Sequence, residues 1–198
     1  MTFELDVPSH PHWVGLPLAG DVDVEAAAVV QGMIGHSASP DHLDATTAAL
    51  AGVTRIARRH VDRVSAGRRS TVAAWMLLPA PLVLVAGPVA FLHAGPLAAD
   101  ARPDDALAAV VDLAADRHGE LEVEDLDTAS GTALSVHVRP VRVADGERLV
   151  DDSRVVLWPS PRDGLVLYLS LYVVDLVEGD RAAEPFLELA RSVRWRLS

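Results

Sequence analysis

The 198-residue sequence contains no cysteine, which excludes a disulfide framework, a thiol nucleophile and any thiolate zinc or iron–sulfur site. Redox compartment therefore cannot be read from it. Lysine and asparagine are also absent, and glutamine occurs once, as Gln31. With Ala, Val, Leu, Arg and Asp abundant, this is the imprint of a GC-rich, expectedly bacterial genome and carries no functional information. Aromatic residues make up only 5% of the chain, yet hydrophobic residues reach 50% against 23% charged, which excludes disorder throughout. A chain of this length is expected to fold as one domain, residues 1–198, burying roughly 70% of its unfolded surface.

Positive charge is in the minority. With 17 basic against 28 acidic residues the net charge is -11, which argues against nucleic-acid binding because phosphate neutralisation needs a positive face. One segment departs from the average: Arg55, Arg58, Arg59, Arg63, Arg68 and Arg69 stand together with only Asp62 among them. Arginines in the last turns of a helix complement its macrodipole, and that is the plain reading. The sharper one makes Arg58, Arg59 and Arg63 contacts for an anionic partner. The start of the chain lacks the basic and apolar regions of a secretory signal, so a cytoplasmic location is expected. Residues 70–99 carry no Asp, Glu or Arg, but Pro79, Pro81, Gly87, Pro88, Gly95 and Pro96 cut them into the runs 72–78, 82–86 and 89–92. Those are strand lengths, so buried strands are expected rather than a membrane span.

Phe3, Leu5 and Val7 alternate with acids and predict a short strand closed by Pro8, followed by a loop over 9–20 around Trp13. Residues 22–30 are ambiguous between strand and helix. Ser39-Pro40-Asp41 is a helix start, and the stripe Leu43, Leu50, Val53, Ala57, Val61 and Val64 carries the helix to Gly67. A second helix is predicted over 103–117. An antiparallel meander follows: Leu121 and Val123, a turn at Gly131, Leu134, Val136 and Val138, then a parity slip at Pro140 that predicts a bulge or an edge, and a turn at Asp145-Gly146. Strands over 154–158 and 165–177 come next. The second is apolar on both parities and is expected at the centre of the sheet. Pro185, Phe186, Leu189, Ala190 and Val193 predict a closing helix that runs into Trp195. The fold class is α+β, an antiparallel sheet flanked by helices as an α-β-α sandwich.

Candidate chemistry is sparse. His10-Pro11-His12 offers two imidazoles, but no third donor stands at a metal-ligand offset, so two exposed loop histidines and no metal are expected. The other six His fall in no HExxH-like spacing and are read as surface residues. There is no GxSxG, GxGxxG or Walker loop, which leaves a catalytic triad and a bound nucleotide cofactor unsupported. Asp104-Asp105 reads as a helix start; Asp151-Asp152, Glu122 and Glu124 read as solvated. Trp13 and Trp158, each beside Pro-rich loops, are candidates for an apolar partner-binding surface, with core packing as the plain alternative.

Phe3-Glu4-Leu5-Asp6-Val7-Pro8 followed by Trp13, the meander over 134–177, and the end Ser192-Val193-Arg194-Trp195 together resemble the PsbP-like superfamily. The resemblance implies an α-β-α sandwich that is a binding or accessory protein rather than an enzyme, with no catalytic residues to carry over. The expected function is a non-enzymatic accessory or protein-interaction domain, with a protein partner or a homodimer. The alternative is an apolar small-molecule binding domain, its pocket built partly by Trp75, Phe91 and Tyr168.

Overall fold

The computed structural model describes residues 3–7, 9–65, 70–78 and 87–197. Pro8, Gly67, Arg68, Arg69, Pro79, Pro81 and the run 82–86 lie outside them. The strand apolar on both parities, β10 (Leu165–Val173), pairs with β4 (Val89–Pro96) on one side and β9 (Asp152–Ser160) on the other. Beyond β4 lie β3 (Ser70–Leu77) and the three-residue β2 (Trp13–Gly15); beyond β9 lie β6 (Gly131–Val138) and β5 (Glu122–Thr128). The seven-stranded sheet, in the order β2-β3-β4-β10-β9-β6-β5, is antiparallel throughout, and β10 is its middle strand.

Strand alternation sends odd and even residues of β10 to opposite faces, and each face has its own helical cover. Leu167, Leu169 and Leu171 join Leu92, Val156, Trp158, Trp13 and Trp75 beneath Ala182, Phe186, Leu189 and Ala190 of α4 (Leu176–Ser192). On the other face, α1 (Val22–Ile34) and α2 (Pro40–Ser65) cover the β3–β4 end, with Ala26, Val30, Ile34, Leu50 and Ala57 against Ala74 and Met76. There, α3 (Pro103–Val110) covers the β9 end, packing Leu107 against Val136, Val155 and Tyr168. The molecule is an α+β fold with helices on both faces of an antiparallel sheet.

The ambiguous residues 22–30 are helical because Asp21 caps them, accepting from the amides of Asp23 at 2.9 Å and Val24 at 3.1 Å. Ala26, Val30 and Ile34 then fall on one face at fourfold spacing and are buried. Three predicted boundaries are corrected. The 103–117 helix stops at Val110, because Val111 is extended and Asp112 turns the chain by accepting from the amide of Ala114 at 3.0 Å. The strand expected to reach Val177 ends at Val173, because Asp175 caps α4 by accepting from the amides of Val177 and Glu178; Pro185 therefore lies inside that helix rather than at its start. Residues 194–197, read as the helix end, form strand β11 (Arg194–Leu197), paired with β1 (Phe3–Asp6). At Pro140 the chain leaves the main sheet. A separate hairpin of β7 (Val141–Ala144) and β8 (Glu147–Val150) follows, turned at Asp145-Gly146 with φ of 54° and 83°, a left-handed pair that Gly and Asp accommodate.

Candidate functional site

Two adjacent carboxylates at the start of β9, read from the sequence as solvated, are the most buried charges in the described residues: Asp151 is 0% and Asp152 2% exposed. Strand alternation sends them to opposite faces, and each gathers a polar cluster. On the α4 face, Asp152 Oδ1 lies 3.0 Å from His137 Nε2 and Oδ2 accepts from Arg154 Nη2 at 3.2 Å. The other ring nitrogen, His137 Nδ1, lies 3.0 Å from Glu122 Oε2. Arg154 is 3.8 Å from Asp180 of α4, and Arg139 reaches the same carboxylate at 3.4 Å. Gly179 allows the helix this close: a Cβ there would stand 2.6 Å from that of Asp152.

The alternation Ser135, His137, Arg139 placed these residues on one wet face, but nothing in it showed that α4 would roof that face and bury its charges. His137, read as a surface residue, is mostly enclosed. Its hydrogen bond to Glu122, and after that its charge, hold the Glu122 carboxyl below the ordinary 4.5. Both ring nitrogens are thus engaged by carboxylates rather than turned toward a substrate. The cluster ties β5, β6, β9 and α4 together and fixes Glu122 at the edge of the sheet. It opens into a cleft of about 100 Å³ lined by Glu122, Glu124, Ser135, His137, Arg154 and Leu187. Arg139 Nε, Arg154 Nε and Asp151 Oδ1 are buried without a hydrogen-bond partner among the described residues, so unsatisfied polar atoms concentrate at this end of the sheet.

On the opposite face, Asp151 Oδ2 accepts from Arg142 Nε at 2.7 Å and from the hydroxyl of Tyr172. Burial, and then the bond to Asp151, push the phenol above its ordinary 10. The ring of Tyr172 is 53% exposed, so it stands at the surface with its hydroxyl pinned. A second cleft on this face, of about 150 Å³, lies between the end of α3 and the sheet, against Val138, Pro140, Ser153 and Val155.

The candidate residues from the sequence are placed elsewhere. Trp13 and Trp158 are buried in the α4-side core and form no exposed surface; their indoles donate to the Pro185 carbonyl at 2.8 Å and Thr128 Oγ1 at 2.9 Å. Trp75 joins that core, whereas Phe91 and Tyr168 are on the other face, so the three cannot line one pocket. Phe91 and Tyr168 instead flank His93, itself buried, with ring centroids at 5.9 and 4.9 Å, and His60 of α2 rests on Phe91 at 4.4 Å. Arg58 is occupied within the chain, donating to the carbonyls of Pro17, Ala19 and Gly20 ahead of α1. Arg59 and Arg63 are exposed. His10 and His12 lie with ring centroids 5.9 Å apart and His10 Nε2 3.7 Å from Glu188; among the described residues no group of three or more acidic or His side chains is arranged to hold a metal. No described helix is long and apolar enough to cross a membrane. No family model, curated protein or solved structure matches the chain.

Proposed function

We propose that this chain is a non-enzymatic, cytoplasmic protein-interaction domain that associates in the first instance with a second copy of itself. The observation that carries this is the corner where β10 meets α4: Tyr172, Val174 and Val177 are 53%, 63% and 58% exposed within six residues of sequence. Tyr172 is held there by Asp151 and, through it, by Arg142 of the β7–β8 hairpin. A pinned aromatic ring beside aliphatic side chains is a contact surface that loses little entropy on binding. A two-fold dimer would use the one patch twice. The Asp152 carboxylate and both ring nitrogens of His137 are engaged within the cluster, which supports a binding rather than a catalytic role. The resemblance to the PsbP-like superfamily, whose members are mostly accessory proteins, supports the same reading.

Among the described residues, these two clefts hold about 100 and 150 Å³, against the ~300 Å³ at which small-molecule pockets usually begin. Light scattering beside native mass spectrometry tests the choice. The expected species is a dimer of the 21.1 kDa chain, converted to monomer by Val174→Asp with Val177→Asp. A monomer carrying a noncovalent small-molecule adduct would overturn the reading in favour of a ligand-binding domain.

A further inference from the structure

We propose that the outer edge of β5 is a docking site for an extended, Arg- or Lys-rich segment of a partner protein, which joins the sheet as an eighth strand. This rests on the interaction reading and gives it a partner chemistry. An edge strand keeps one row of main-chain N–H and C=O groups unpaired, and proteins normally blunt such edges with charged side chains, proline, bulges, short length or cover; on β5 only charge is present, and it deters strands of like charge. The opposite edge, β2, is blunted by having only three residues. β5 has seven, contains no proline, and pairs with β6 in continuous register from Glu122 to Thr128. Among the described strands none pairs with its outer side.

The chemistry of that edge selects its occupant. Between Arg117 and Arg139 the chain has five carboxylates and no arginine: Glu120, Glu122, Glu124, Asp125 and Asp127. Alternation places Glu122 and Glu124 on the α4 face, where they line the cleft beside His137, and Val123, Asp125 and Asp127 on the other. Both faces of the edge are therefore negative, and side chains of an added strand, alternating in the same way, would meet carboxylates whichever way they point. The side chains of Glu124, Asp125 and Asp127 are exposed and have no hydrogen-bond or ion-pair partner among the described residues; Glu122 is held in place by His137. Val123, 42% exposed at the second position, supplies an apolar contact. A second copy of this chain is a poor occupant, because pairing β5 with β5 sets acids against acids. A basic extended segment gains the main-chain bonds and the charge pairs together.

The test uses the full-length protein and a capped peptide of alternating Arg and Val, with two controls: the same peptide with Pro in place of alternate Val, and a Glu–Val peptide. Amide hydrogen exchange is read residue by residue. The Arg–Val peptide is expected to slow exchange along β5 and to bind more weakly as salt shortens the Debye length. Glu124→Lys with Asp125→Lys and Asp127→Lys, which alters exposed side chains only, should weaken it by about tenfold or more. Equal protection by the proline peptide would mean plain electrostatic adhesion and would overturn strand addition. Protection confined to Tyr172, Val174 and Val177 would overturn the β5 site and leave an interaction domain with another docking face. No protection anywhere, in a chain that is also monomeric by light scattering, would remove both the site and the reading beneath it.

Discussion

The two ends of the central sheet are made of similar alternating strands and are held by different physics. At the β3–β4 end, α1 and α2 press Ala26, Val30, Ile34, Leu50 and Ala57 onto Ala74 and Met76, and the contact is almost wholly apolar. Among the described residues, Thr54 Oγ1 is buried there without a hydrogen-bond partner. At the β6–β9 end the α4 side of the sheet carries His137, Asp152 and Arg154, and order there depends on each group meeting a particular partner. Apolar burial is non-directional and scales with area, so neighbours can share the loss of one side chain. A buried ion network is directional, and removing one member strands the rest. The apolar end is thus suited to stability, and the polar end to presenting a charge, Glu122, in a fixed orientation at the sheet edge.

The largest expected effect lies in the strand that joins the two ends. Leu169→Ala, at a fully buried position of β10, should cost ~2 to 5 kcal/mol in denaturant unfolding. Asp152→Ala should cost ~3 kcal/mol, near the lower limit for breaking a buried ion pair, because Arg154 and His137 retain some access to water. The comparison is broken if Asp152→Ala is as mild as a surface change, since the network would then be decoration.

Period and polarity made most of this architecture legible. The doubly apolar run around Tyr168 and Leu169 located the central strand, Ser39-Pro40 located the start of α2, and Asp145-Gly146 located a turn. Boundaries failed where a side chain acted on backbone out of reach of periodicity, as Asp175 did in starting α4 before Pro185 and Asp112 did in diverting the end of α3. The site was mostly illegible. Asp151-Asp152 has the local pattern of a solvated turn, and only long-range pairing, β9 with β6 and α4 over Gly179, buries the two carboxylates. For Trp13 and Trp158 the plain reading, core packing, holds, and the alternative of an exposed recognition surface beside the Pro-rich loops does not, because tertiary packing draws both rings into the core.

Acidification sharpens the comparison, because each end has a titrating group with its own window. His60, packed on Phe91 at the apolar end, is pushed below its ordinary 6.5 by burial and then by the charge of Arg63. The unfolded chain therefore binds this proton more readily, so stability is lost as pH falls from about 6.5 toward the lowered folded value. Glu122, also lowered, contributes stability that is present above the ordinary 4.5 and is lost as pH falls through its folded value. Urea midpoints measured against pH should fall in both windows. His10 is lowered by burial as well and shares the upper window, so His60→Gln should shrink the upper decline without touching the lower one, and Glu122→Gln should act on the lower one alone. A variant that flattened both would show the two ends to be coupled through β10.

The smallest effects separate three arginines that look alike in the sequence. Arg58 donates to three carbonyls of the 17–20 loop and so fastens the approach to α1 onto α2. Hydrogen bonds from a charged donor are worth ~1.5 to 3 kcal/mol when well made, and Arg58→Glu replaces them with a carboxylate facing carbonyl oxygens; a loss of ~2 kcal/mol is expected. Arg59→Glu and Arg63→Glu alter exposed side chains and should stay within ~0.5 kcal/mol, with oligomeric mass unchanged. Equal losses at all three positions would mean that charge along α2, rather than the carbonyl contacts of Arg58, sets the stability of the apolar end. A change of oligomeric mass on reversing Arg59 and Arg63 would move the self-association surface from the β10–α4 corner to α2.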